Sequence, residues 1–225
     1  LNKNYGAFLE RAIASVLDQS HKDLQIILID DFSTDNSRNL IKKYKKDKRI
    51  EIIENKKSIG LVANANIALR KANKKYLVRL DADDTFTRDG IEKLYKCALH
   101  SEKIGLVYGN YNITDVNGNL IKRRLLLSLE NEVSIINSPC HGACTLFNVN
   151  ALKSVGGYSE EFDRQDGVYA FYSLIAKNWL IRNIKDVIFN YTQHQNNLSR
   201  NKSKLHETRS RIIEKISKDN IKIQK

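Results

Sequence analysis

Two short apolar runs, each ending in a cluster of carboxylates, constrain this chain most. Residues 24–29 are nearly continuously apolar and stop at Asp30-Asp31-Phe32-Ser33-Thr34-Asp35. Residues 76–80 do the same and stop at Asp81-Ala82-Asp83-Asp84. Short, β-branched runs bounded by polar loops read as strands buried on both faces of a parallel sheet. Between and around them lie segments with helical spacing, at 8–19, about 36–46, 60–72 and 88–99, and further strand patterns at 50–53 and 104–108. Strands alternating with helices predict an α/β fold, a mostly parallel central sheet flanked by helices with right-handed crossovers.

In open α/β sheets, ligands bind beyond the carboxyl ends of the strands. Both acidic clusters therefore belong to one edge. Carboxylates gathered there repel unless a positive group sits among them, and hard oxygen ligands suit Mg2+ or Mn2+. The i, i+2 spacing of Asp81 and Asp83 puts both on one side of an extended segment, roughly 6.6–6.8 Å apart. That suits one carboxylate on a cation and the other on a neighbouring ligand group. Helix capping explains the same residues without a ligand, with Asp83 or Asp84 opening one helix and the Asp30-Asp31 loop capping another. Asp31-x-Ser33-x-Asp35 is not an EF-hand start, because Asn36 and Lys42 stand where Gly and Glu are needed. A glycine-rich phosphate loop is missing from the sequence, which leaves phosphate neutralisation to a metal or to basic side chains.

The second half is less regular. Asn117-Gly118 marks a hairpin, residues 143–147 a strand, Gly156-Gly157 a turn, 168–177 a helix, 187–191 a late strand, and the chain from about Ser203 a basic amphipathic helix or tail. Residues 1–110 are expected to bind a nucleotide-bearing ligand, 111–201 to form the acceptor-binding and catalytic half of the same domain, and 202–225 to form the tail.

A formal net charge of +12 and a pI near 9.5 favour phosphate-bearing or membrane partners. Nucleic acid is not expected, since the basic residues are dispersed and lack an accompanying aromatic motif. The tail points instead to peripheral contact with an anionic membrane. An odd set of three cysteines, Cys97, Cys140 and Cys144, fits a reducing compartment, and Cys140 with His141 and Cys144 lacks the second ligand pair of a metal site. No apolar run approaches the roughly 20 residues that span a bilayer. A cytoplasmic protein, working at the inner face of the membrane, is expected. The lack of Met at position 1 suggests a trimmed start.

Several motifs in order resemble family-2 glycosyltransferases. Asn4 and residues 5–20 are similar to that family's opening helix. Ile29-Asp30-Asp31-Phe32-Ser33-Thr34-Asp35-Asn36-Ser37 resembles its "IVDDGSTDNS", and Gly60 to Asn66 its "GxxxARN". Leu80-Asp81-Ala82-Asp83-Asp84 matches "LDADD", and Val155-Gly156-Gly157-Tyr158 through Phe162 resembles "VGGYDExF". The resemblance implies the GT-A fold, its first strand missing ahead of Leu1, and a metal-dependent, inverting transfer of sugar from a UDP- or GDP-sugar to a glycan or lipid-linked acceptor. It implies donor contacts at Asn4, Asp30, Asp31, Gly60, Asn66, Asp81 and Asp83, with Asp31 at the nucleobase and Asp81 near the ribose. It places Mn2+ or Mg2+ on Asp83 with His194, and a general base at Asp166. Gln165, where the family has Glu, and Ala65, where it often has Arg, depart from the pattern. They keep open a non-catalytic nucleotide-sugar-binding domain. The processive "QxxRW" motif is absent, which favours single transfers.

Overall fold

The computed structural model describes residues 1–126, 142–197 and 200–219, with Asp166 described by its backbone. Cys140, His141 and part of the basic tail lie outside them. The chain runs α1 (Gly6–Leu17), β1 (Ile26–Asp30), α2 (Ser37–Lys42), β2 (Ile50–Glu54), α3 (Leu61–Lys71), β3 (Tyr76–Val78), β4 (Thr85–Phe86), α4 (Gly90–Ala98), β5 (Ile104–Thr114), β6 (Leu120–Arg124), β7 (Leu146–Asn148), α5 (Val149–Ser154), α6 (Asp166–Ala176), β8 (Leu180–Thr192) and α7 (Lys202–Lys218).

The α/β alternation holds through the first half, where β1 and β2 pair in parallel. The sheet as a whole is mixed rather than mostly parallel. The larger part has the order β3-β7-β5-β8-β4, with β6 paired to β5, and only β5 and β8 run parallel within it. The reason is β7, which enters between β3 and β5 antiparallel to both. Hairpin and return strands need no helical crossover, so this half lacks the alternating pattern that announces a parallel sheet.

Leu1 and Asn2 bridge the two parts. Asn2 N donates to Ile29 O and Asp31 N to Asn2 O, while Leu1 N donates to Leu80 O and Ala82 N to Leu1 O, all at 2.8–3.1 Å. This is a parallel ladder on both sides of a two-residue stub. Behind the stub, an apolar cavity of about 360 Å3 separates β1 from β3, lined by Leu9, Ile13, Leu28, Leu77 and Leu80 among others.

The largest core cluster packs α3, α5, α6 and α7 on one face of β5, around Tyr108, Phe147, Phe171 and Tyr172. A second lies under α4 on the other face, around Leu94, Val107 and Phe189. Helix α7 contributes Ile212 and Ile216 to the first. Its apolar stripe is thus spent inside the fold, each isoleucine being worth about 1.5–3 kcal/mol of burial. Helix α7 therefore does not present that stripe to a membrane. Among the described residues, no helix is long and apolar enough to cross one.

Candidate active site

The stub formed by Leu1 and Asn2 touches both acidic loops, so the loops after β1 and β3 stand side by side, about two strand spacings or roughly 10 Å apart. This is the common edge that the sequence predicts.

The first loop is saturated with donors. Buried Asp30 accepts from Asn2 Nδ2 (2.8 Å), Ser33 N (3.0 Å) and Arg38 Nε (3.1 Å). Asn4 Oδ1 accepts from Thr34 N at 2.7 Å, which braces the loop from outside. Asp31 accepts from Asn55 Nδ2 (2.9 Å) and Ile59 N (2.8 Å) on one oxygen, and from Ser58 Oγ (2.7 Å) and Gly60 N (3.0 Å) on the other. All four acceptor positions of the carboxylate are filled. Desolvation pushes the Asp31 carboxyl up, but the Ile59 amide, Ser58 and the asparagines outweigh it and hold it well below the usual carboxylate range. Gly60 takes φ +89° as it leads into α3, a conformation that glycine adopts without strain. In this structure Asp31 fastens the turn at Ser58–Ile59–Gly60.

The second loop is crowded with charge. Asp83 Oδ2 accepts from His194 Nε2 at 2.9 Å and from Asn197 Nδ2 at 3.3 Å. His194 Nδ1 accepts from Asn196 N (3.2 Å), so the ring proton sits on Nε2 and is donated to Asp83. The ring is stacked on Phe8, 5.0 Å between centroids, and edge-on to Tyr5 at 5.5 Å. Asp84 Oδ1 accepts from Thr192 N. Asp81 forms an ion pair with Arg79 at 3.1 Å. Burial, then the charge of Asp81, pushes the Asp83 carboxyl above its ordinary value despite the His194 bond. Burial, then Asp83 and Asp81, pushes Asp84 well above it.

One predicted residue, Asn66, is bonded elsewhere in the fold. Asn66 donates to Tyr158 O and Glu160 Oε1 and accepts from Tyr158 N, tying α3 to the Gly156-Gly157 turn, and none of these bonds runs to the acidic loops. Asp166 opens α6, preceded by Gln165 in a left-handed conformation (φ 54°). Gln165 is held by Arg209 Nε (2.7 Å) and Leu205 O (3.1 Å) of α7. At Gly167, a Cβ would stand 2.9 Å from Gly142 Cα, so this helix start needs glycine for its close backbone approach.

Sequence reasoning missed Arg11, Arg79 and Asn197. Arg79 shares a strand face with Asp81, two residues on, a signal that was available. Asn197 is the first donor beyond the His194 turn. Arg11 had no local signal: its guanidinium donates to Asp83 O (3.1 Å), Thr192 Oγ1 (2.8 Å) and Val116 O (2.7 Å), joining three distant segments.

Among the described residues, no group of three or more His, Cys, Asp or Glu is arranged to hold a metal. Asp83 offers a carboxylate, whereas His194 would ligate a cation only by moving its proton to Nδ1 and giving up its bonds to Asp83 and Asn196. One or two protein ligands completed by substrate phosphates and water is how Mg2+-like ions are commonly bound, and burial, then Asp81, raises the Asp83 carboxyl, so a cation beside it would stabilise its charged form. The residues fit a divalent cation that arrives with a diphosphate.

Known proteins share both sequence and shape with this chain. The sequence profile described as Glycosyl transferase family 2 matches residues 2–156. A Haemophilus influenzae protein named as an uncharacterized glycosyltransferase is 25% identical over 235 residues, covering 97% of this chain and 70% of that protein. The Bacillus subtilis protein named as putative teichuronic acid biosynthesis glycosyltransferase TuaG is 38% identical over 87 residues, 38% of this chain and 34% of TuaG. The chain spans about half or less of the length of several other curated relatives. Among solved structures, the mannosyltransferase PcManGT from Pyrobaculum calidifontis, in complex with GDP-Man and Mn2+, superposes with a TM-score of 0.73 at 14% identity, over 96% of this chain and 62% of that one. S. aureus TarS in complex with UDP does so at 0.69 and 16% identity, over 94% and 62%.

Proposed function

The chain belongs to glycosyl transferase family 2, and from that premise we propose that it moves a sugar from a UDP- or GDP-sugar to an acceptor hydroxyl, with inversion and with help from Mn2+ or Mg2+. Its α/β fold is of the GT-A type. The observation that carries the reading is the pair of acidic loops on one sheet edge, one neutralised internally and one left charge-rich. Asp83, with His194, would hold a cation that neutralises the leaving diphosphate. Asp81, paired with Arg79, lies on the side of the ribose. The turn fastened by Asp31, with Gly60 and Ser58, forms the nucleobase end, so Asp31 acts there by shaping the turn. Asn4 and Asp30 brace that end, and Asn66 supports it from behind through the Gly156-Gly157 turn.

Asp166, at the start of α6, would take the proton of the acceptor hydroxyl as its oxygen attacks the anomeric carbon. The new glycosidic bond forms as the bond to the diphosphate breaks, and the negative charge leaves with the nucleoside diphosphate. One displacement on one face inverts the configuration and needs no covalent intermediate. UDP and GDP-Man in the solved complexes support a nucleotide-sugar donor, and TuaG's name supports surface polysaccharide synthesis, in which the acceptor would be a glycan or lipid-linked glycan.

Release of free nucleotide from a panel of UDP- and GDP-sugars, with Mn2+ and with chelator, tests the reading. Release from one donor, lost on chelation and in Asp83→Asn, is expected. Donor binding without release from any donor, even with acceptor glycans present, would mark a non-catalytic domain.

A further inference from the structure

The β5–β6 hairpin leaves the body of the fold with an unusual surface. Strand β6 is exposed along its whole length and, among the described residues, pairs only with β5. Its sequence is Leu120-Ile121-Lys122-Arg123-Arg124, two large aliphatics followed by three cations, with no acid. Leu120 is 60% and Ile121 53% exposed, and Val116 in the turn is exposed as well. Asp115, the acid of the turn, is occupied within it, accepting from Asn117 N, Asn119 N and Asn119 Nδ2.

A free edge strand with bare aliphatics invites unwanted pairing, and proteins normally blunt it. Here the cations do part of that, but they do not cover the aliphatics. In the ladder Leu120 stands opposite Thr114 and Arg123 opposite Asn112, on one face, while Lys122 and Arg124 stand opposite Ile113 and Tyr111 on the other, and a register shift leaves Ile121 unpaired between them. Aliphatic and basic groups thus lie side by side along one exposed edge, as an element needs when it enters a headgroup layer edge-on, with aliphatics reaching the acyl boundary and cations meeting phosphates. The strand carries no aromatic ring on which a nucleobase would stack.

The hairpin is also coupled to the acidic edge. One guanidinium, that of Arg11, donates to Val116 O in the turn and to Asp83 O. A surface bound through the hairpin therefore has a fixed relation to the Asp83 loop. Helix α7, the other basic element, has its apolar stripe in the core.

We propose that the β5–β6 hairpin docks the protein on an anionic lipid surface, with Leu120 and Ile121 entering the interface and Lys122, Arg123 and Arg124 facing lipid phosphate. Docking itself is independent of the glycosyltransferase reading. Its use, holding the donor site against acceptors embedded in the membrane, rests on that reading.

Vesicle co-sedimentation of the chain tests it, with vesicles of phosphatidylcholine alone and vesicles half phosphatidylglycerol. Binding to the anionic vesicles only is expected. The double variants Leu120→Ser/Ile121→Ser and Lys122→Gln/Arg123→Gln should each reduce partitioning by about tenfold or more, since two basic contacts or two buried aliphatics are removed. Lys202→Gln/Lys204→Gln on α7 should change it by less than about twofold by the same reasoning. All six positions are exposed, so the variants should keep the wild-type melting temperature, and nucleotide release in solution, where it occurs, should be unchanged. Failure of the wild type to bind anionic vesicles, wild-type binding by both hairpin variants, or loss of binding in the α7 variant overturns the proposal. None of these results bears on donor chemistry.

Discussion

The loop after β1 and the loop after β3 bring carboxylates to one edge of the sheet, yet they handle the charge in opposite ways. Asp30 and Asp31 are ringed by amides, hydroxyls and the Arg38 guanidinium, and Asp31 is held well below the usual carboxylate range. Asp83 and Asp84 are buried beside one another and beside Asp81, with fewer donors, and both are held high. A carboxylate satisfied by its own fold braces the chain. A carboxylate raised by burial and then by its acidic neighbours is stabilised when a cation comes to it. Two loops of similar composition thus divide the work of a site, one giving shape and the other charge.

The sharpest way to break this division is Asp83→Asn. The account expects nucleotide release to fall by about a hundredfold or more, the scale of losing a few kcal/mol of charge stabilisation, while the melting temperature holds or rises. Asp31→Ala should do the reverse. It strands the donors of Asn55, Ser58, Ile59 and Gly60, and chemical denaturation should show a loss of about 2–4 kcal/mol. An Asp31→Ala protein of wild-type stability would remove the brace from the account. His194→Ala comes next. Losing one ligand and one orienting bond should weaken metal-dependent nucleotide affinity by about tenfold, read by calorimetry.

Asp84→Asn is the mildest test and the most specific. The amide keeps an acceptor for Thr192 N and removes a buried charge. Because the folded carboxyl is raised above its unfolded value, its stability contribution is full below the ordinary carboxylate pKa and lost as pH rises through the raised value. Without metal, the variant should melt roughly 2–4 °C above wild type at pH 8, the shift about 1 kcal/mol gives in a chain of this size. The gap should close as the pH falls toward about 4, where the unfolded carboxylate protonates. A constant gap would deny the crowding.

Local pattern made the first half legible. The runs at 24–29 and 76–80 became β1 and β3, and the acidic residues followed them to the expected edge, although Asp83 and Asp84 lead into β4 rather than open a helix. The charge state of each loop was not legible. The donors that satisfy Asp31 come from 24 to 29 residues away, and nothing in Asp30-Asp31 foretells them. The same holds for Arg11, whose partners Asp83 and Thr192 lie 72 and 181 residues off. Strand β8 runs over 13 residues where a strand at 187–191 is expected, because its first half carries Arg182, Asn183, Lys185 and Asp186 and is held as strand by the long pairing with β5. Strand β4, two residues long, and α5, six long, are too short to show a period.

The most direct test titrates UDP and GDP into the chain by calorimetry, with Mn2+ and with chelator, for wild type and Asp83→Asn. The account predicts that one nucleotide binds wild type only when Mn2+ is present, and that the variant loses this binding in Mn2+. Equal binding in chelator, or full affinity in Asp83→Asn, would contradict it.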